Sequence, residues 1–141
     1  MGAITLDSIT VTPLRRIPTP GGDVLHGMKT MDSGYSGFGE VYFSWVEASA
    51  VKAWKRHLAM TMNLIVPVGQ VKFVFYLEAG HQFRVEEIGR DTYCRLTVPP
   101  GIWFGFMGLV QPQSLVVNVA NLSHDPSEVE RRELAAIQYA W

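Results

Sequence analysis

Between Leu96 and Ser123 the chain carries no Asp, Glu, Lys or Arg. A stretch that long and that apolar could cross a membrane as a helix. Pro99-Pro100-Gly101, Gly105, Gly108 and Gln111-Pro112-Gln113 prevent this. Proline inside a helix removes a hydrogen bond and clashes with the preceding turn, so the run breaks into short pieces. It reads as two buried strands around a turn, with no membrane span. The same punctuation governs the rest of the chain. Short runs rich in Val, Ile, Phe, Tyr and Trp predict strands at Ile9–Arg15, Gly39–Val46, Val51–His57, Leu64–Val68, Val71–Leu77, Gln82–Ile88, Tyr93–Val98, Trp103–Leu109 and Leu115–Ala120. Turn residues such as Pro67-Val68-Gly69-Gln70 and Glu78-Ala79-Gly80-His81 separate them. Strands at a spacing of roughly 8–12 residues suggest an all-β sandwich, barrel or jelly roll. One short helix is predicted near the C-terminus, at Asp125–Arg132, from an N-cap Asp, Pro at the first helical position and acids before bases.

Composition sharpens this pattern. A chain of 141 residues suits one domain, residues 1–141. Only 18% of its residues are charged, against about 25% in globular domains. Such a chain must hide apolar surface in an interface, a cavity or both. The run Val71-Lys72-Phe73-Val74-Phe75-Tyr76-Leu77 is nearly all apolar, so both strand faces need cover. One would line a barrel, and the other would meet a second sheet or a second subunit. A net charge of −1 argues against sequence-independent nucleic-acid binding, which needs a basic field. A lone cysteine, Cys94, forms no intrachain disulfide, and the first residues have no signal-peptide pattern. A cytoplasmic location is expected.

Three segments carry a family likeness. Val51-Lys52-Ala53-Trp54-Lys55-Arg56-His57, Asn63 through Val71, and Val98-Pro99-Pro100-Gly101-Ile102-Trp103-Phe104-Gly105-Phe106 together resemble a cupin. More narrowly, the chain is similar to the dTDP-4-dehydrorhamnose 3,5-epimerase family. The likeness covers roughly residues 38–141 and includes His124-Asp125-Pro126 through Glu130-Arg131 and the ending Ile137-Gln138-Tyr139-Ala140-Trp141. It implies a cupin-type jelly roll of antiparallel strands, a homodimer and a nucleotide-sugar substrate. The family's catalytic base position falls on Lys55, and its tyrosine acid position on Asn118. His124 lies close to a second tyrosine position, and Lys52 matches a substrate-binding arginine. A substrate-binding lysine of the family is replaced by Met62. The cupin metal-ligand positions read Lys55, His57, Met62 and Phe104. An ammonium repels a cation, Phe cannot ligate, and a thioether suits hard or borderline ions poorly, so no metal and no other cofactor is expected.

The residues themselves support proton-transfer chemistry. Epimerisation or isomerisation beside a ketone needs a base for a weakly acidic C–H and a group to hold the enolate oxygen. A lysine enclosed by aromatic side chains has its pKa lowered, which suits Lys55. His57, two residues along the same strand, would face the same cavity, and Asn118 could hold an oxygen. An ion pair between Lys55 and a carboxylate such as Glu40 is the structural alternative. Trp45, Phe73, Phe75, Phe104 and Phe106 are candidates for the cavity wall. Asn63, Lys52, Arg15 and Arg84 are candidates for substrate contacts, with arginine suited to phosphate. The expected activity is metal-independent isomerisation or epimerisation of a nucleotide-linked 4-keto-6-deoxy sugar. A cyclase or isomerase of an apolar metabolite and a non-catalytic binding protein are the alternatives.

Overall fold

A computed structural model describes residues 3–141 of the chain. Twelve strands form: β1 (Thr10–Pro13), β2 (Arg16–Ile17), β3 (Val24–Leu25), β4 (Glu40–Glu47), β5 (Val51–His57), β6 (Met62–Val68), β7 (Gln70–Leu77), β8 (Gln82–Gly89), β9 (Cys94–Val98), β10 (Trp103–Gly108), β11 (Gln113–Ala120) and β12 (Val129–Arg131). They build two five-stranded sheets, ordered β1-β9-β6-β11-β4 and β12-β5-β10-β7-β8, with β2 and β3 as a separate hairpin. Every strand pairing is antiparallel. This is the jelly roll among the all-β folds that the strand pattern suggests, of the cupin type that the resemblance implies.

The alternation of strand side chains sorts residues between the sheets. Leu64, Val66, Phe73, Phe75, Leu96, Val98, Phe104 and Val116 meet in the core between them. On β7 the opposite face, Val74 and Tyr76, packs with Trp54, Trp103 and Ile137. The second cover for this strand is therefore the chain's own tail rather than a further sheet or subunit. The Trp54 indole N–H donates to the Leu134 carbonyl at 3.2 Å and ties that tail down.

The late helix is shorter than the sequence predicts. Asp125 caps a single 3-10 turn, Pro126–Glu128, by accepting from the Ser127 N–H. The chain then extends as β12 along the free edge of β5, pairing Val129 with His57 and Arg131 with Lys55. Unpaired backbone groups on β5 gain partners this way, which outweighs the helical preference of so short a segment. Of the first predicted strand, Ile9–Arg15, only Thr10–Pro13 pairs as β1, and β2 begins beyond it at Arg16.

Candidate active site

A cavity of about 450 Å3 opens between the sheets at the β5–β10 side. Strand β5 supplies its lysines through an irregularity. Phe104 pairs with Lys55 and Gly105 with Ala53, so Trp54 is left without a partner on β10. That extra residue is a bulge. It brings Lys52 and Lys55, which strict alternation would place on opposite faces, to the same cavity. Phe104 and Phe106 of β10, Met62 and Leu64 of β6 and Val116 of β11 form the apolar wall. Tyr42 and Ser44 of β4, Asn118 of β11, and Arg131 and Arg132 complete it.

All charged side chains among the lining residues are cationic. Lys52 donates to the Trp45 carbonyl at 2.6 Å and to Ser44 Oγ at 3.3 Å. Arg132 pairs with Glu78 and lies over the Trp103 ring at 4.3 Å. Among the described residues, no carboxylate forms an ion pair with Lys55 or with Arg131. The Lys55–Glu40 pair considered from the sequence is not made. Burial, reinforced by the Arg131 guanidinium, pushes the Lys55 ammonium below the ordinary lysine range, against the pull of Glu128 and Glu40. An ammonium so placed gives up its proton more readily than one in water.

Below the cavity, His57 Nδ1 lies 2.5 Å from Glu128 Oε1, and both side chains are buried. The second Glu128 oxygen accepts from the Ala59 and Met60 N–H groups. Burial pushes the His57 imidazolium below its ordinary value, outweighing the opposite effect of Glu128. Burial would raise the Glu128 carboxyl, but hydrogen bonds from His57, Ala59 and Met60 hold it below the usual range. The pair is therefore neutral imidazole and carboxylate, with Nδ1–H donating. Nε2 then presents a lone pair, and it has no hydrogen-bond partner among the described residues. The ring stacks near Phe104, at 6.1 Å between centroids, and does not itself line the cavity.

Several other candidates lie elsewhere. Phe73 and Phe75 are sealed in the core. Trp45 points outward from β4, and His124 is exposed beyond β11. Asn63 faces the outer side of its sheet, accepting from Thr97 Oγ1 at 2.6 Å and donating to the Gly34 carbonyl at 3.1 Å. Arg84 fastens the N-terminal segment, donating to the carbonyls of Leu6 and Ile9. Arg15 is exposed beside a separate hollow near Arg95. The polar cavity residues not singled out from the sequence are Tyr42, Ser44, Arg131 and Arg132. For Tyr42 and Ser44 a signal exists: β4 alternates apolar Val41, Phe43 and Trp45 with more polar residues, and here the polar parity faces inward. Arg131 and Arg132, which a helix dipole would explain in sequence, instead reach the cavity because their segment is a strand and its continuation.

The four cupin ligand positions hold Lys55, His57, Met62 and Phe104, and no group of three His, Cys, Asp or Glu able to hold a metal occurs among the described residues. That donor set, with one imidazole, does not fit a cupin metal.

No protein-family model and no curated protein matches the sequence. Solved structures do match. A dTDP sugar isomerase from Desulfovibrio desulfuricans G20 is 36% identical, with TM-score 0.91 over 99% of this chain and 95% of that one. A sugar 3,4-ketoisomerase from Thermoanaerobacterium thermosaccharolyticum, solved with TDP, is 17% identical, with TM-score 0.77 over 94% of each chain. A dTDP-4-dehydrorhamnose 3,5-epimerase from Sulfolobus tokodaii is 16% identical, with TM-score 0.79 over 98% of this chain and 84% of that one.

Proposed function

Since the chain belongs to the dTDP-sugar isomerase family of cupin-fold enzymes, we propose that its cavity takes a dTDP-linked 4-keto-6-deoxy sugar and isomerises it by proton transfer through Lys55. The observation that carries this reading is the charge of the lining. Lys52, Lys55, Arg131 and Arg132 contribute every formal charge there. A nucleoside diphosphate brings negative charge on both phosphates, and guanidinium groups bind phosphate through directed, charge-assisted bonds. Arg131, exposed and without an ion-pair partner among the described residues, is the group freest to do so. An apolar metabolite would leave these cations facing hydrocarbon, which disfavours that alternative.

The cavity volume lies within the range of small-molecule sites, about 300–1,000 Å3. Met62, Leu64, Phe104 and Phe106 offer an apolar bed for a deoxy sugar ring. Lys55 is the base. Its lowered pKa raises the fraction of free amine able to take a proton from the carbon beside the ketone. His57 and Glu128 brace the end of the strand that carries Lys55, and Asn118 and Asn63 support the wall around it. No step in this reaction requires a metal.

The reading includes a homodimer. Val41, Phe43 and Trp45 on the outer face of edge strand β4 are 43%, 64% and 49% exposed. A second copy of this face would cover them.

The test is proton NMR in D2O with dTDP-4-keto-6-deoxyglucose. The wild type is expected to exchange the hydrogen beside the ketone and form product, and Lys55→Ala to slow both by roughly 100-fold or more. Turnover that survives Lys55→Ala would overturn the assignment.

A further inference from the structure

We propose that Lys55 is also a site of reversible modification, its side-chain amine adding carbon dioxide to form a carbamate that silences the base of the reaction above. The effect on turnover rests on that reaction, while the adduct itself does not. The inference begins with register. Arg131 on β12 is the direct cross-strand partner of Lys55 on β5, and both side chains line the cavity. Cβ atoms so paired lie about 4.5–5.5 Å apart, and like charges in that position repel. No carboxylate forms an ion pair with either side chain among the described residues. A carbamate on Lys55 turns the repelling pair into an attracting one, with a guanidinium suited to bind both of its oxygens.

The chain has four lysines, and the other three lack this setting. Lys29 is exposed, Lys72 lies over the Tyr139 ring at 4.9 Å, and Lys52 donates to the Trp45 carbonyl and to Ser44 Oγ. Lys55 is half-buried, and burial together with Arg131 favours its free amine, the form with a lone pair for carbon dioxide. Burial opposes an ammonium and a carbamate alike, so the surrounding charges decide between them. Arg131 acts on Lys55 more strongly than either Glu128 or Glu40, which act the other way. Glu128 is itself engaged by His57, Ala59 and Met60. Lys52 and Arg132 add to the cationic lining. Tyr42 supplies a further donor on the same cavity. Its oxygen accepts from Asn118 Nδ2 at 2.9 Å, its cross-strand partner on β11, and its own proton has no acceptor among the described residues.

The step balances. The Nζ lone pair forms a bond to the carbon of carbon dioxide, and one C–O π pair moves to oxygen. The nitrogen then loses one proton to water, leaving a carbamate anion. The reverse steps release carbon dioxide and restore the amine. In the carbamate the nitrogen lone pair is delocalised into the carboxyl group, so it no longer takes a proton from carbon. The same cations serve a nucleoside diphosphate, so dTDP and carbon dioxide each weaken the binding of the other by the same factor.

The test is carbon-13 NMR of wild type, Lys55→Arg and Arg131→Gln in labelled bicarbonate, each first checked for an unchanged melting profile. Wild type is expected to show a carbamate resonance that is absent from Lys55→Arg and reduced by dTDP. A carbamate on the α-amino group persists in all three chains. Arg131→Gln should raise the carbon dioxide concentration for half occupancy by roughly threefold or more. At constant pH and ionic strength, C–H exchange of the keto sugar in D2O should fall as the resonance grows and recover on purging. A wild type with no resonance beyond those of Lys55→Arg would overturn the proposal, and so would loss of exchange in bicarbonate without that resonance, which marks an ion merely bound. A resonance in a wild type that exchanges no hydrogen of the keto sugar would uphold the modification and overturn the reaction proposed above.

Discussion

At the scale of single residues, Lys55 must be neutral to accept a proton, and its surroundings favour the neutral form. Its pKa lies below the ordinary lysine value of about 10.4, so the active fraction rises with pH through that lowered value. The acid limb of the kcat/KM profile should report this. Arg131→Gln removes one of the causes of the shift, so the limb should move to higher pH while KM for the nucleotide sugar rises. An unmoved limb would separate Arg131 from Lys55. His57 and Glu128 titrate below their unfolded values. Their stabilising contribution is present at neutral pH and is lost as pH falls, first below the usual imidazole range and then through the carboxylate range. The melting temperature should decline from about pH 7 to pH 4. Glu128→Gln should lower it at pH 7 and, since Glu128 holds the His57 pKa up, steepen the decline below the usual imidazole range, as differential scanning fluorimetry across pH would show.

At the scale of elements, the tail is an integral layer of the fold. Ile137 is 4% exposed and fills the outer face of β5, β10 and β7 alongside Trp54 and Trp103. Ile137→Ala should cost roughly 2–5 kcal/mol in a urea titration. The central strands were legible because β7, β9 and β11 are apolar enough to permit little else, and because β4 keeps a period of two. β12 was not legible. Its three residues, Val129-Glu130-Arg131, carry two charges and no strand pattern, and they extend only because β5 offers an open edge. Lys52 and Lys55 were picked from the resemblance, yet their shared orientation depends on a bulge that no periodicity reveals. Tyr42 escaped notice because a tyrosine in an alternating strand looks like ordinary packing. Only its register with Asn118 gives it a distinct place. Trp45, Phe73 and Phe75 show the converse limit, since aromatic character does not tell which wall of a strand faces a cavity.

At the scale of the whole molecule, the low overall charge is distributed unevenly. Apolar residues fill the core, the tail layer and the outward face of β4, while cations gather at the cavity. Phe43→Asp should leave the monomer's fold within about 0.5 kcal/mol of wild type and shift light-scattering mass from dimer to monomer. An unchanged mass would place the dimer contact elsewhere, or exclude a dimer. The crowding of Lys52, Lys55, Arg131 and Arg132 has a further consequence for the empty protein. Like charges held together in a partly enclosed space oppose the compact state, and an anionic ligand removes that opposition while adding its own binding free energy, about 2.7 kcal/mol at 100 times Kd. With the proposed nucleotide sugar as that ligand, the unloaded chain is expected to be cut faster by a protease than the loaded one, which limited proteolysis with and without dTDP would show.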